Sequence, residues 1–475
     1  MTIAVRNPRT GANDYTIDPA SPADLAALAR RLRAAQPAWA ARTPDERGAI
    51  LRRWAEAIER HATTIAAALT DDTGRQTISR IEVAGVAQLV RRWADRAPAL
   101  IAGHARRDQP TSQPTITTTT ALIPYPLVGV ISPWNFPLTL SLIDAVPALA
   151  AGCAVLVKPS EVTPRFVAPF TAATAEVPEI AEVLAFALGD GATGAALIEQ
   201  VDFVCFTGSV PTGRKVGEAA ARAFIPASLE LGGKDPMIVL ASADPERAAG
   251  IALRASVVNT GQACQSIERV YVARAIAAPF LDALVRQARA VRLNHPDIAE
   301  GDIGPFIFDR QANIVAAQIE DARSKGARVL SGGEIEEHGG GLYLRPTVIA
   351  DATPEMAVMA DETFGPVIPV AIFDDVDQAV ALANSGVYGL SAAVVAGSIE
   401  EAETVGARLE VGAVSINDGS LTAMVWEAEK SSFRQSGLGP SRMGDSGLTR
   451  FFRRRVLIRQ AGDALPLAAY AERAG

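Results

Sequence analysis

Cysteine is scarce in this chain: Cys153, Cys205 and Cys264 are the three in 475 residues. An odd count without paired spacing excludes a disulfide framework and suits a reducing compartment, so any special cysteine is a free thiol. Histidine is almost as sparse, and His61, His104, His295 and His338 show no ligand spacing with the cysteines. That leaves nothing from which to argue a metal site or a cysteine–histidine hydrolase. Positive charge is in deficit too: 45 Lys and Arg stand against 53 Asp and Glu, a net charge of −8, so a phosphate backbone is not an expected partner. The opening residues lack the apolar stretch of a signal sequence, and a cytoplasmic protein is expected. Between Asp108 and Asp144 no charge intervenes, but a threonine run and Pro110, Pro114, Pro124, Pro126, Pro133 and Pro137 exclude a spanning helix. No fixed period, heptad array or low-complexity tract appears, which sets aside solenoids and coiled coils.

What is present is ample apolar material, 49% of the chain, enough for about three domains at roughly 150 residues each. Helix starts are signalled at Ser21 with Pro22 and Asp24, and at Thr43 with Pro44 and Glu46. Leu51, Trp54, Ala55 and Ile58 share one helical face, which predicts a packing helix with Trp54 in the core. Residues 115–132, rich in β-branched residues and broken by Pro124 and Pro126, predict a strand pair followed by a buried strand. Apolar runs at 153–157, 182–188, 201–206 and 236–240, separated by helical stretches, predict parallel strands with crossover helices. A second such series begins at Glu268, so the fold class is α/β.

Several segments offer chemistry. Gly189-Asp190-Gly191-Ala192-Thr193-Gly194 matches the dinucleotide fingerprint but lacks its downstream acid, and a tight turn reads equally well. Thr207-Gly208-Ser209 joins a buried strand to a helix near Pro211, either a plain turn or a place where a pyrophosphate meets helix N–H groups. Cys264 lies in a polar loop beside small Ala263, whereas Cys153 and Cys205 sit in apolar strands as small hydrophobes. Glu230, in apolar LELGG, is a base with a raised pKa or a structural carboxylate.

Taken together, PWNFPL (133–138), KPSEVTP (158–164), FTGSVPTG (206–213), LELGGKDP (229–236), NTGQAC (259–264), ETFGPV (362–367) and NSGVYGLSA (384–392) resemble the aldehyde dehydrogenase superfamily over residues 21–450. The family's interval separates Glu230 from Cys264. The resemblance implies a Rossmann-type cofactor domain at 1–106 and 125–232, an α/β catalytic domain at 233–416, and an oligomerisation arm with entrance loop and tail at 107–124 and 417–475. It implies that Cys264 attacks an aldehyde to give a thiohemiacetal and then a thioester. Asn135, with the Cys264 N–H, would hold the oxyanion, and Glu230 would activate the thiol or the deacylating water. Lys158 and Glu161 fall where the adenosine ribose is held, Trp134, Gly208 and Ser209 near the pyrophosphate, and Glu362 and Phe364 at the nicotinamide ribose and ring. A carboxylate at Glu161 accepts from a 2′-hydroxyl and repels a 2′-phosphate, so NAD is the expected cofactor, with NADP still admissible.

The chain departs from the family's pattern at three places. Asp144 stands where a lysine is usual, EKSS (429–432) replaces PFGG, and Ser436-Gly437-Leu438-Gly439-Pro440-Ser441 replaces SGxGRE. A proton relay from Glu230 through that lysine and glutamate is therefore in doubt, with Asp144 left to serve a different one. Phe136, Leu140 and Ile143, with Leu421, Met424, Val425 and Trp426, suggest a tunnel for a hydrophobic or aromatic aldehyde, or a surface covered by another subunit. The tail is similar to the carotenoid-aldehyde dehydrogenase branch. The alternatives are a semialdehyde or acylating dehydrogenase, and a dinucleotide-binding protein of this fold without turnover. The unpaired edges of ITTTTALIPY and RRRVLIRQ predict a homodimer or homotetramer.

Overall fold

The computed structural model describes residues 2–472. Two open sheets dominate. The first has six strands in the order Gly437–Leu438, Ala227–Glu230, Phe203–Thr207, Leu127–Ile131, Ala154–Lys158 and Leu184–Phe186. Its five N-terminal strands are parallel, and Gly437–Leu438 closes one edge antiparallel to Ala227–Glu230. Strand Leu127–Ile131 is buried along its whole length, as a central parallel strand covered on both faces must be. The chain proceeds from it to one side, then returns to Phe203–Thr207 on the other, which makes a topological switch point at the carboxyl ends of these two strands.

The second sheet has seven strands, ordered Arg328–Ser331, Thr347–Ala350, Val367–Phe373, Ile267–Ala273, Asp235–Val239, Ser391–Val395 and Ala413–Ile416. All pairings but the first are parallel. A third, antiparallel sheet joins Phe452–Gln460, Ile116–Pro124 and Gln109–Pro110, with Phe452 opposite Pro124 and Gln460 opposite Ile116. Val456, Leu457 and Ile458 on its edge are exposed. No described helix is long and apolar enough to cross a membrane.

Local chemistry accounts for the helix starts. Ser21 and Asp24 form a complete capping box at helix Pro22–Ala41, as do Thr43 and Glu46 at Pro44–Arg60. Trp54 is fully buried and donates its indole N–H to Thr174 at 3.1 Å. Other features differ from expectation. The run 182–188 yields a strand only at Leu184–Phe186, because a helical turn at Pro178–Ala181 precedes it. The glycine fingerprint is a turn closed by Asp190, whose carboxylate accepts from the N–H groups of Ala192 and Thr193 and so occupies the helix start a phosphate would need. The hairpin Ile3–Arg6/Asn13–Ile17 is held from the side of the second sheet: Arg6 donates to the Gly340 carbonyl at 2.9 Å and Arg9 to that of Asn294 at 2.8 Å. Residues 437 and 438, expected in the tail, instead extend the first sheet, because an exposed strand edge takes any backbone that reaches it.

Candidate active site

The switch point of the first sheet faces the amino ends of strands in the second, and a cavity of about 260 Å³ lies between them. Pro133, Trp134, Asn135 and Leu140 line it from the segment after Leu127–Ile131, and Thr207, Gly208 and Ser209 from the end of Phe203–Thr207. Cys264 lies just before strand Ile267–Ala273, and Glu362 and Phe364 just before Val367–Phe373; these complete the wall with Leu231, Gly232, Gln311 and Ile314. Residues far apart in sequence thus converge because one sheet's carboxyl ends meet the other's amino ends.

Cys264 follows a strained turn. Asn259, Thr260 and Gly261 all have left-handed backbone, with φ of 61°, 58° and 68°. Such a conformation costs about 1–3 kcal/mol at a non-glycine residue and persists only when surroundings enforce it. The enforcement is visible: the Asn259 side-chain amide donates to the carbonyls of Asn135 and Gln262 at 3.1 and 2.9 Å, and Thr260 donates to that of Gly304 at 3.0 Å. At Gly261 a Cβ would lie 2.2 Å from the Gly365 carbonyl oxygen, so only glycine fits. Asn135 is buried, its side-chain amide donates to the Gln262 carbonyl at 3.0 Å, and Arg75 donates to its backbone carbonyl at 3.0 Å. Asn135 and the cysteine loop are therefore one hydrogen-bonded unit. Asn259 and Gln262, within NTGQAC, supply that support together with Arg75 and Glu82, which lie outside every motif; Glu82 accepts from the Thr139 N–H at 3.0 Å.

Desolvation first, then the carboxylates of Glu362, Asp235 and Glu230, push the Cys264 thiol up to about 12, against the opposing pull of Lys430. Cys153 and Cys205 are fully buried, and burial pushes their thiols up as well. Glu230 ends strand Ala227–Glu230, is half-buried and accepts from the Ser432 hydroxyl at 3.1 Å. Burial and neighbouring Glu268 push Glu362 up to about 8, although the Gly233 N–H, 3.2 Å away, favours its ionised form. Glu268 ties down the loop carrying Glu362 and Phe364: it accepts from Lys234 at 2.8 Å and from the N–H groups of Thr363 and Phe364 at 2.7 and 2.8 Å. Phe364 meets Trp134 edge to face at 5.4 Å.

Ser209 precedes helix Val210–Ala223 and no side chain caps that helix, so its first N–H groups are available to an anion. Lys158 and Glu161 pair at 2.9 Å beyond the end of the neighbouring strand, outside the 260 Å³ cavity but on the same edge of the sheet. These groups fit a dinucleotide: free N–H donors for a pyrophosphate, carboxylates for ribose hydroxyls, and an aromatic wall. Among the described residues no group of three or more His, Cys, Asp or Glu is placed to hold a metal ion.

Of the tunnel candidates only Leu140 lines this cavity. Phe136 is half-buried with the Arg75 guanidinium 5.5 Å from its ring, and Ile143 is buried in helix Pro137–Ala151. Leu421 is exposed, and Trp426 packs under Arg92 at 5.1 Å. Their apolar character was legible in sequence but their direction was not. Asp144 is no free relay group: it is buried between Arg442, at 3.0 Å, and Arg450. Burial alone would raise its pKa, but the two guanidiniums hold the carboxyl below the usual range. Ser441 accepts from the Met443 N–H at 3.1 Å in a local turn.

The chain matches the description "Aldehyde dehydrogenase family" over residues 1–457. It is 37% identical, over 93% of its length and 86% of the other, to a Mycolicibacterium smegmatis protein named "Putative succinate-semialdehyde dehydrogenase", NADP(+)-dependent by that name. Betaine aldehyde dehydrogenase of Cereibacter sphaeroides is 37% identical over 92% of this chain and 89% of that one. Among solved structures, "Putative Aldehyde Dehydrogenase PutA" of Anabaena variabilis superposes with a TM-score of 0.96 at 51% identity, covering 98% of this chain and 99% of that one. Lactaldehyde dehydrogenase of Escherichia coli gives 0.91 at 31% identity, covering 97% and 96%. The chain belongs to the aldehyde dehydrogenase family, and it is an NAD(P)-dependent oxidoreductase of the aldehyde dehydrogenase fold.

Proposed function

We propose that this enzyme oxidises an uncharged, apolar aldehyde to its carboxylic acid through a covalent Cys264 thioester, with NAD preferred. The observation that carries the reaction is the convergence of Cys264, Asn135, Glu362 and Phe364 on one cavity. Cys264 gives its proton to Glu230, directly or through water, while sulfur bonds to the carbonyl carbon and the carbonyl oxygen becomes anionic. The Asn135 amide and the Cys264 N–H meet that oxyanion, where fixed dipoles act most strongly. The nicotinamide, when bound, accepts the hydride that turns the thiohemiacetal into a thioester. Glu230, once it has released that first proton to solvent, takes a proton from the hydrolytic water as the water oxygen attacks the thioester carbonyl, and the carbon–sulfur bond breaks to give the carboxylic acid and the Cys264 thiolate. Trp134, Gly208 and Ser209 would hold the pyrophosphate, Lys158 and Glu161 the adenosine ribose, and Glu362 and Phe364 the nicotinamide end.

Apolar selectivity is supported by exposed Leu421, Met424, Val425 and Phe433 in the return segment. A semialdehyde substrate is the second reading, favoured by the name of the Mycolicibacterium smegmatis relative. NADH or NADPH formation with short aliphatic, long-chain, aromatic and anionic aldehydes separates the two. The highest kcat/KM is expected with an uncharged long-chain or aromatic aldehyde and NAD; a preference for succinic semialdehyde establishes the second reading. The exposed edge of Phe452–Gln460 supports homo-oligomerisation, which sedimentation at micromolar concentration tests.

A further inference from the structure

The segment 429–433, where the family pattern is broken, passes close to Cys264 and is fastened on every side. The Glu429 carboxylate accepts from the Ser446 N–H at 3.3 Å, Ser432 donates to Glu230, and the Phe433 N–H donates to the Gly389 carbonyl at 2.9 Å. A little upstream, Thr422 donates to the side chain of Gln265, the residue after Cys264, at 2.9 Å. Between these anchors the Lys430 ammonium is buried and has no hydrogen-bond partner among the described residues. An ammonium in that position costs several kcal/mol until an anion compensates it.

The charged groups that act on Cys264 are Lys430, Glu362, Asp235 and Glu230, and Arg442 lies within electrostatic range behind them. Of these anions, Glu362 is engaged by the Gly233 N–H and Glu230 by Ser432, while Asp235 accepts from the Ser391 N–H and hydroxyl and also lies in the field of Lys430. The thiolate is the one anion that the chemistry must create and that nothing else satisfies. We propose that Lys430 is a positioning residue whose ammonium is the resident counter-ion of the Cys264 thiolate. Glu230 accepts the proton; Lys430 only stabilises the charge left on sulfur, so no further reactant is needed. A substrate carboxylate is a poorer occupant, because the ammonium nitrogen is shielded from solvent.

This inference rests on Cys264 being the nucleophile, and its test uses no substrate. Alkylation of Cys264 by iodoacetamide in the purified enzyme, followed by mass spectrometry from pH 6 to 11, reads the thiolate fraction, with buried Cys153 and Cys205 as internal references. All of this range lies below the Cys264 half-point, and Lys430→Met is expected to slow alkylation at least about tenfold throughout it, with Lys430→Arg restoring the rate. If the methionine variant does not fold, Lys430→Gln carries the same expectation. A variant profile superimposed on that of the parent overturns the proposal. So does a loss of kcat/KM confined to carboxylate-bearing aldehydes with unchanged alkylation, which would make Lys430 a substrate anchor. A panel in which no aldehyde turns over sinks the proposed function instead and leaves the alkylation profile as it is.

Discussion

Two buried clusters beside the cleft, one around Asp144 and one around Asp235, treat charge in opposite ways. Behind the first sheet, Asp144 is compensated twice over by Arg442 and Arg450, and those arginines also donate to Thr207, at 2.6 Å, and to Ser228, at 2.8 Å. Beside the second sheet, Asp235 and Glu362 are pushed up to about 7 and about 8, burial being the leading cause in both, and Lys430 has no hydrogen-bond partner among the described residues. Charge is neutralised where the chain has only to hold a strand end in place. It is left unbalanced where a proton and an electron pair must move, which is where perturbed groups gather in enzymes.

That contrast can be broken most sharply at Cys264. Cys264→Ala is expected to abolish NADH formation in stopped-flow and steady-state assays while leaving the melting temperature near that of the parent; residual turnover above a hundredth would assign the nucleophile elsewhere. In the balanced cluster the effect should be on stability. Asp144→Asn strands two buried guanidiniums and is expected to cost about 3–5 kcal/mol in urea unfolding. Because the folded pKa of Asp144 lies below its unfolded value of 3.8, its contribution is full above that value and is lost as pH falls through the folded one. The parent's advantage over Asp144→Asn should therefore shrink under acid, and an advantage that grows there contradicts the ion-pair account.

Asn135→Ala should lower kcat by about 10²- to 10³-fold, the usual worth of one oxyanion donor, with little change in KM. A change in KM alone would make Asn135 a binding group. The smallest expected effect lies at Glu362. Its carboxyl is largely protonated below about pH 8 and then offers fewer acceptors to a ribose. NAD affinity measured by calorimetry is expected to weaken by up to about tenfold between pH 8 and pH 7, and Glu362→Gln to flatten that dependence. A parent affinity independent of pH would show that the unbalanced cluster plays no part in cofactor binding.

Residues whose placement at one cavity depends on short, contiguous backbone were readable without coordinates. Asn135, Ser209, Cys264 and Glu362 each sit in a loop fused to a strand or helix end, so local spacing carries their placement. Lys430 and Arg442 were not readable, because the segment 417–450 returns from the second sheet to the first, and no local pattern says which side chain ends up beside a thiol more than 160 residues earlier. The direction of Leu421 and Trp426 was unreadable for a related reason: a single 3-10 turn or a loop is too short for a period to show which way an apolar side chain faces. The fingerprint at Gly189–Gly194 failed at short range, since the Asp190 side chain fills the helix start that the glycines seem to leave open.

The pairing of Phe452–Gln460 with Ile116–Pro124, and of Gly437–Leu438 with Ala227–Glu230, also bears on how the protein is made. At roughly 5–20 residues per second, a ribosome spends tens of seconds between the first and last strands of these pairs. Throughout that interval the nascent chain presents open β edges, and Glu230 lacks the Ser432 neighbour that helps hold it. Competence therefore arrives only with the final tenth of the polypeptide, and a message truncated there would yield a protein both inactive and prone to associate through its unmatched strands.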